Sequence, residues 1–63
     1  MAHKTTLELQ PGDVVFPPYE IKTDRVTSVI PLPDPRRGEK WFRVSTESGV
    51  FDVGCDYRWG LPI

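Results

Sequence analysis

The densest chemistry in this chain lies between Asp34 and Arg43, where Arg36, Arg37, Lys40 and Arg43 surround Trp41. Against Asp34 and Glu39 this segment carries a local charge of +2, while the remaining residues sum to −3. A planar aromatic beside guanidinium groups suits stacking on bases and pairing with phosphate. It equally suits a protein contact, where Trp and Arg carry much of the binding energy. Trp41, Arg43, Arg36, Arg37 and Lys40 are the expected contact surface. The structural alternative is a solvated turn beside a Trp that packs under the neighbouring prolines or against Arg43.

A second group is Pro17-Pro18-Tyr19 with Tyr57 and Trp59. Aromatics around a groove can dock an extended proline-rich peptide, and a Pro-Pro-Tyr segment can itself be such a ligand. The competing reading is that Tyr and Trp in so short a chain are needed to fill its core. Cys55 has Gly54 and Asp56 as neighbours, and an adjacent acid disfavours the thiolate, so a structural thiol is expected. His3 is the only histidine, so a zinc site lacks ligands. Asp52 and Asp56 form a carboxylate pair, but no pocket is evident to raise one of their pKa values for acid–base work. No phosphate-binding loop or metal-ligand spacing is present. The expectation is a protein that is not an enzyme, with no catalytic residue, cofactor or metal.

Length and composition bound the rest. The chain has 63 residues, nine acids and eight bases, for a net charge of −1. A chain this short buries only ~60% of the surface that its unfolded form exposes, so stability is marginal or supplemented. Near-neutral charge supplies no bulk drive towards nucleic acid or anionic lipid. No apolar run approaches a membrane span and no signal-peptide pattern opens the chain, so a cytoplasmic location with no membrane partner is expected. One unpaired cysteine agrees with a reducing compartment.

The elements that must position these residues are strands. Prolines at 11, 17, 18, 31, 33, 35 and 62 interrupt every candidate helix. The firmest element is a hairpin over Lys40–Gly54. Phe42 and Val44 alternate with Trp41 and Arg43 before Thr46-Glu47-Ser48-Gly49, and Phe51 and Val53 alternate with Val50 and Asp52 after it. Pairing Ser45 with Val50 sets Val44 against Phe51, Phe42 against Val53 and Arg43 against Asp52, where opposite charges support the register. Gly49 is expected in the left-handed conformation that ends such turns.

Thr5–Leu9 reads as an edge strand or an ordered arm, and residues 1–6 as a flexible arm. Gln10–Asp13 is a turn, Asp13–Phe16 a short strand and Tyr19–Asp24 a loop. Arg25–Ile30 is a strand rich in β-branched residues, followed by a stiff extended connector over Pro31–Gly38. Cys55–Arg58 fits a tight turn or a single 3-10 turn, and Trp59, Leu61 and Ile63 face one side of a last strand that Pro62 confines to an edge. The result is one all-β domain over 1–63, a small, partly open five-stranded barrel with at most one 3-10 turn. Its expected core is Val14, Phe16, Val26, Ile30, Phe42, Val44, Phe51, Val53, Trp59 and Leu61.

This order of strands, with a long third-to-fourth hairpin and a short turn before the last strand, resembles the SH3-like small-barrel superfamily. Pro11-Gly12-Asp13-Val14-Val15 resembles the opening Gly-Asp-x-Val strand of its KOW-type modules, and Arg25–Ile30 the strand that follows. No glycine precedes Arg25, where those modules usually have one. The resemblance implies a binding role through loops and a sheet edge, without specifying the ligand.

The expected function is therefore a non-enzymatic binding module for a protein partner, an adaptor or inhibitor. In size and type it is analogous to phage accessory products and assembly factors. The alternatives are a KOW-like nucleic-acid-binding module using the same surface, and a structural subunit that self-associates through exposed edge strands.

Overall fold

The hairpin over β4 (Trp41–Thr46) and β5 (Val50–Gly54) has the expected register. Ser45 opposes Val50, Val44 opposes Phe51, Arg43 opposes Asp52, Phe42 opposes Val53 and Trp41 opposes Gly54. Phe42, Val44 and Val53 are buried on the inner face, and Arg43 pairs with Asp52 on the outer one. The turn is built differently from expectation. Positive φ occurs at Gly12 and Gly38 among the described glycines, and not at Gly49. The Thr46 N–H donates to the Gly49 carbonyl at 2.7 Å, and the Gly49 N–H donates to the Thr46 hydroxyl at 3.2 Å. Asp24 braces the turn from a neighbouring strand by accepting the Ser48 N–H. Side-chain hydrogen bonds thus do what a left-handed glycine does in other turns.

This computed structural model describes residues 2–62, so Ile63 lies outside the described residues. The protein is all-β and barrel-like, with a single 3-10 turn among the described residues. A curled four-stranded antiparallel sheet, ordered β2 (Val14–Val15), β3 (Asp24–Pro31), β4, β5, is joined by a two-stranded sheet of β1 (His3–Thr5) and β6 (Arg58–Gly60). A bridge between Phe16 and Gly60 links the two sheets next to β2. β6 therefore has neighbours on both sides, and β5 is left as an open edge.

Among the described residues there are six strands, one more than expected, because residues 3–5 pair with β6 while a 3-10 turn takes Thr6–Glu8. Thr6 is buried and its N–H donates to the Tyr57 carbonyl at 3.0 Å. Leu9, just past the turn, joins the core. The connector after β3 is not extended throughout. Arg36 and Glu39 exchange backbone hydrogen bonds at 2.9 and 2.8 Å, closing a tight turn with Arg37 at φ 53° and Gly38 at φ 75°. Pro31 remains within β3, opposite Phe42. The neighbouring Leu32 N–H bonds to Trp41, so the alternation of the ladder points the nitrogen of Pro31 away from β4.

Besides Leu9, the core differs from expectation in β3 and in β2. In β3, strict alternation puts Val26, Ser28 and Ile30 on one face. A bulge between Val26 and Ser28 shifts the register, so Val29 faces the buried Val44 and Ile30 is 53% exposed. In β2, Val14 opposes Arg25, which lies outside because Val26 lies inside. Val15 is consequently buried, Val14 is exposed and Phe16 is half-buried. Trp59 is fully buried, with Phe51 and Tyr57 against it edge-to-face at centroid distances of 6.1 and 5.4 Å. Among the described residues, no helix is long and apolar enough to cross a membrane.

Candidate functional site

Trp41 opens β4 on the outer face of the hairpin, opposite Gly54. Because Gly54 has no side chain, the indole lies over it, with Cε2 3.9 Å from where a Cβ would stand. The Arg36 guanidinium covers the ring at 5.0 Å from its centroid, a favourable cation–π geometry. Trp41 is thus half-buried between Gly54 and the turn of the connector. Its Nε1 is buried and has no hydrogen-bond partner among the described residues. An indole N–H is a donor only, and leaving one buried and unpaired costs about 1–3 kcal/mol.

The five expected contact residues do not form one surface. Arg36 and Trp41 stack. Arg43 donates through Nε and Nη2 to the two carboxylate oxygens of Asp52 at 3.0 and 3.2 Å. That pairing raises the Arg43 pKa and holds the Asp52 carboxyl below its ordinary range. Arg37 stands at the tip of the turn, exposed. Lys40 turns to the other face, with its ammonium 5.8 Å from the centre of the Phe42 ring. The basic cluster read along the chain is divided in space, and part of its charge is already matched.

The structure instead joins three of the five residues of the second candidate group to Trp41. Pro18, Tyr19, Trp41, Tyr57 and the length of β5 from Val50 to Gly54 line one open groove of about 410 Å³. Trp59 is excluded, since its ring belongs to the core and its N–H is satisfied by Thr6. Tyr19 is fully exposed at φ 64°. It follows Pro18 in a turn closed by the Glu20 N–H on the Pro17 carbonyl at 3.2 Å. This is the pattern of a type II turn, whose third position favours Gly or Asn. Burial raises the Tyr57 pKa, and the nearby Tyr19 adds to the shift. The two phenols therefore share one rim.

Carboxylates border this groove at both ends. Asp56 Oδ1 and Glu39 Oε2 lie 3.2 and 3.4 Å from the Cβ position of Gly54. At the turn end, a second hollow of about 200 Å³ is lined by Pro17, Glu20, Lys22, Thr23, Asp24, Ser48 and Phe51. The Thr46 hydroxyl, followed by that of Ser48 and the N–H groups of Arg25 and Ser48, holds the Asp24 carboxyl below its usual value. Cys55 is half-buried, and its N–H donates to the Lys40 carbonyl at 2.9 Å.

Sequence reasoning named Tyr19, Pro18 and Tyr57 but set them with the wrong tryptophan. The usable signal was parity: Trp41 and Gly54 are directly opposed in the expected register, which opens a place for an aromatic on the outer face. Comparison with protein-family models, with curated proteins and with solved structures finds no match to this chain.

Proposed function

We propose that this protein is a non-enzymatic binding module whose ligand is another protein, acting as an adaptor or inhibitor in a reducing, cytoplasmic setting. The observation that carries the reading is the open groove of about 410 Å³ that Trp41 forms with Pro18, Tyr19 and Tyr57. Aromatic walls supply contact area at low entropic cost. Tyr19 adds support. A non-glycine residue at φ 64° is strained by about 1 kcal/mol or more, and a fully exposed ring gains nothing inside the fold to offset that. Strain at an exposed aromatic fits a side chain kept for contact with a partner. Among the five residues expected from the sequence, Trp41 and Arg36 belong to this contact, with Arg43 beside it.

The test is affinity capture from lysate with nuclease present, comparing the native protein with Trp41→Phe and Tyr19→Ala. Trp41→Phe keeps an aromatic ring but loses part of the indole surface together with its N–H. A partner protein retained by the native chain and weakened on both variants, with fold unchanged by circular dichroism, supports the reading. Capture that disappears with nuclease, or that neither substitution affects, overturns it.

A further inference from the structure

We propose that the open edge of β5 receives an extended, lysine- or arginine-bearing segment of a partner protein as an added β-strand. The inference rests on the protein-binding reading above and names the chemistry of the ligand.

The free edge follows from the ladder. Thr46 bonds to Gly49 and Cys55 bonds to Lys40 at the two ends of the β4–β5 pair. Antiparallel pairs alternate between bonded and non-bonded residues. With Ser45 opposite Val50, the bonded pairs are therefore Val44–Phe51 and Phe42–Val53. The N–H and C=O groups of Val50 and Asp52, and the N–H of Gly54, point away from β4. Among the described residues no strand lies on that side, since β5 ends the sheet. Among the described residues, no backbone hydrogen bond outside the ladder uses a main-chain group of Val50 or Asp52. Such a row is a template for one more strand.

The surroundings select what that strand carries. The two hollows along β5 meet at Phe51 and share the Pro17–Pro18 wall. Around them stand the carboxylates of Glu20, Asp24, Glu39, Asp52 and Asp56, against the cations Lys22, Arg36 and Arg43. Among the described residues, the only two ion pairs are Lys4–Asp13 and Arg43–Asp52, so Glu20, Glu39 and Asp56 are unmatched. A strand with alternate basic side chains satisfies these acids, while its other residues pack on Pro18, Tyr19 and Tyr57. A second copy of this chain is a poor occupant, because it brings the same excess of acid; pairing centred on Asp52 sets like charges opposite each other. Phosphate meets the same repulsion.

The experiment uses the whole chain, labelled with nitrogen-15, and a short blocked peptide alternating lysine and valine. Three counterparts serve as controls: its glutamate–valine analogue, and two forms N-methylated on one or the other set of alternate residues. The expected result is binding that slows amide exchange of Val50 and Asp52 by about tenfold or more, while Phe51 and Val53, already bonded to β4, change little. The glutamate peptide gives no protection, and one of the two N-methylated forms fails to bind while the other is retained. The variant Val50→Pro, which removes an outward N–H and no ladder bond, weakens binding. The proposal is overturned if the lysine peptide does not bind, if it binds without protecting those amides, or if the glutamate peptide protects them equally. It is also overturned if Val50 and Asp52 are already protected in a dimer, which identifies a second copy as the occupant. Where lysate capture still depends on Trp41, any of these results removes strand addition alone and leaves the protein-binding reading in place.

Discussion

The indole N–H of Trp59 donates to the hydroxyl of Thr6 at 3.0 Å, joining residues 53 positions apart in the chain. The Thr6 hydroxyl in turn reaches the Tyr57 carbonyl at 3.4 Å, and the Thr6 N–H donates to the same carbonyl. This buried link fastens the 3-10 turn to the strand that carries the largest core side chain. It also positions Tyr57, whose ring leans on Trp59 from one side and lines the groove on the other. The groove is therefore anchored to the core through Tyr57, as it is through Phe51, which also packs on Trp59.

Removing the acceptor should be costly. Thr6→Val keeps the shape but leaves the Trp59 donor buried and unpaired, and should destabilise by about 1–3 kcal/mol. Thr6→Ser should lose much less. Urea denaturation midpoints at constant slope measure both.

The bulge in β3 predicts an inversion of what strict alternation implies. Val29→Ala removes methyl groups packed against the core and should cost about 1 kcal/mol. Ile30→Ala, at a residue more than half exposed, should change stability by about 0.5 kcal/mol or less. Thermal unfolding of the two variants decides it; a larger effect at Ile30 is incompatible with the bulge.

Two residues without the freedom of glycine sit in left-handed backbone, and their substitutions should diverge in function. Arg37→Gly relieves strain next to Gly38 and should stabilise by about 1 kcal/mol, with partner binding retained. Tyr19→Gly should stabilise similarly while weakening binding by about 2 kcal/mol, the scale of an interface hot spot. Paired denaturation and affinity measurements separate strain kept for function from strain that is incidental.

The pH dependence has two limbs. Asp13 is held below its usual pKa by the Gln10 N–H and then by Lys4, Asp24 by Thr46 and its neighbours, and Asp52 by Arg43. Depressed folded pKa values mean stability that is present above the ordinary carboxylate pKa of ~4 and lost as pH falls below it. Tyr57 works in the opposite sense: its raised pKa keeps a proton that the unfolded chain releases, so stability falls as pH rises above ~10. Denaturation midpoints from pH 2 to 11 should form a plateau with both shoulders. Asp13→Asn should flatten the acid shoulder and Tyr57→Phe the alkaline one.

How much was legible in the sequence depended on how local the cause was. The β4–β5 hairpin was readable because its alternation, its turn length and the Arg43–Asp52 pair lie within a few residues of one another and agree. The all-β class was readable because prolines spread along the chain interrupt the interior of every candidate helix. Tertiary structure decided what depends on partners far along the chain. Asp24 braces the Thr46–Gly49 turn from another strand, so Gly49 needs no special backbone. One inserted residue in β3 moves Val29 inward and Ile30 outward, and no composition rule locates such a bulge. Arg36, Arg37 and Lys40 are neighbours in sequence, yet a positive-φ turn and the two-residue alternation send them to separate faces. Tyr19 and Trp41 are well separated in sequence and line one groove, because the sheet curls until the loop after β2 lies beside β5. Periodicity reports which face a side chain takes within its own strand; which strands share a surface follows from closure of the sheet, and that depends on the whole chain at once.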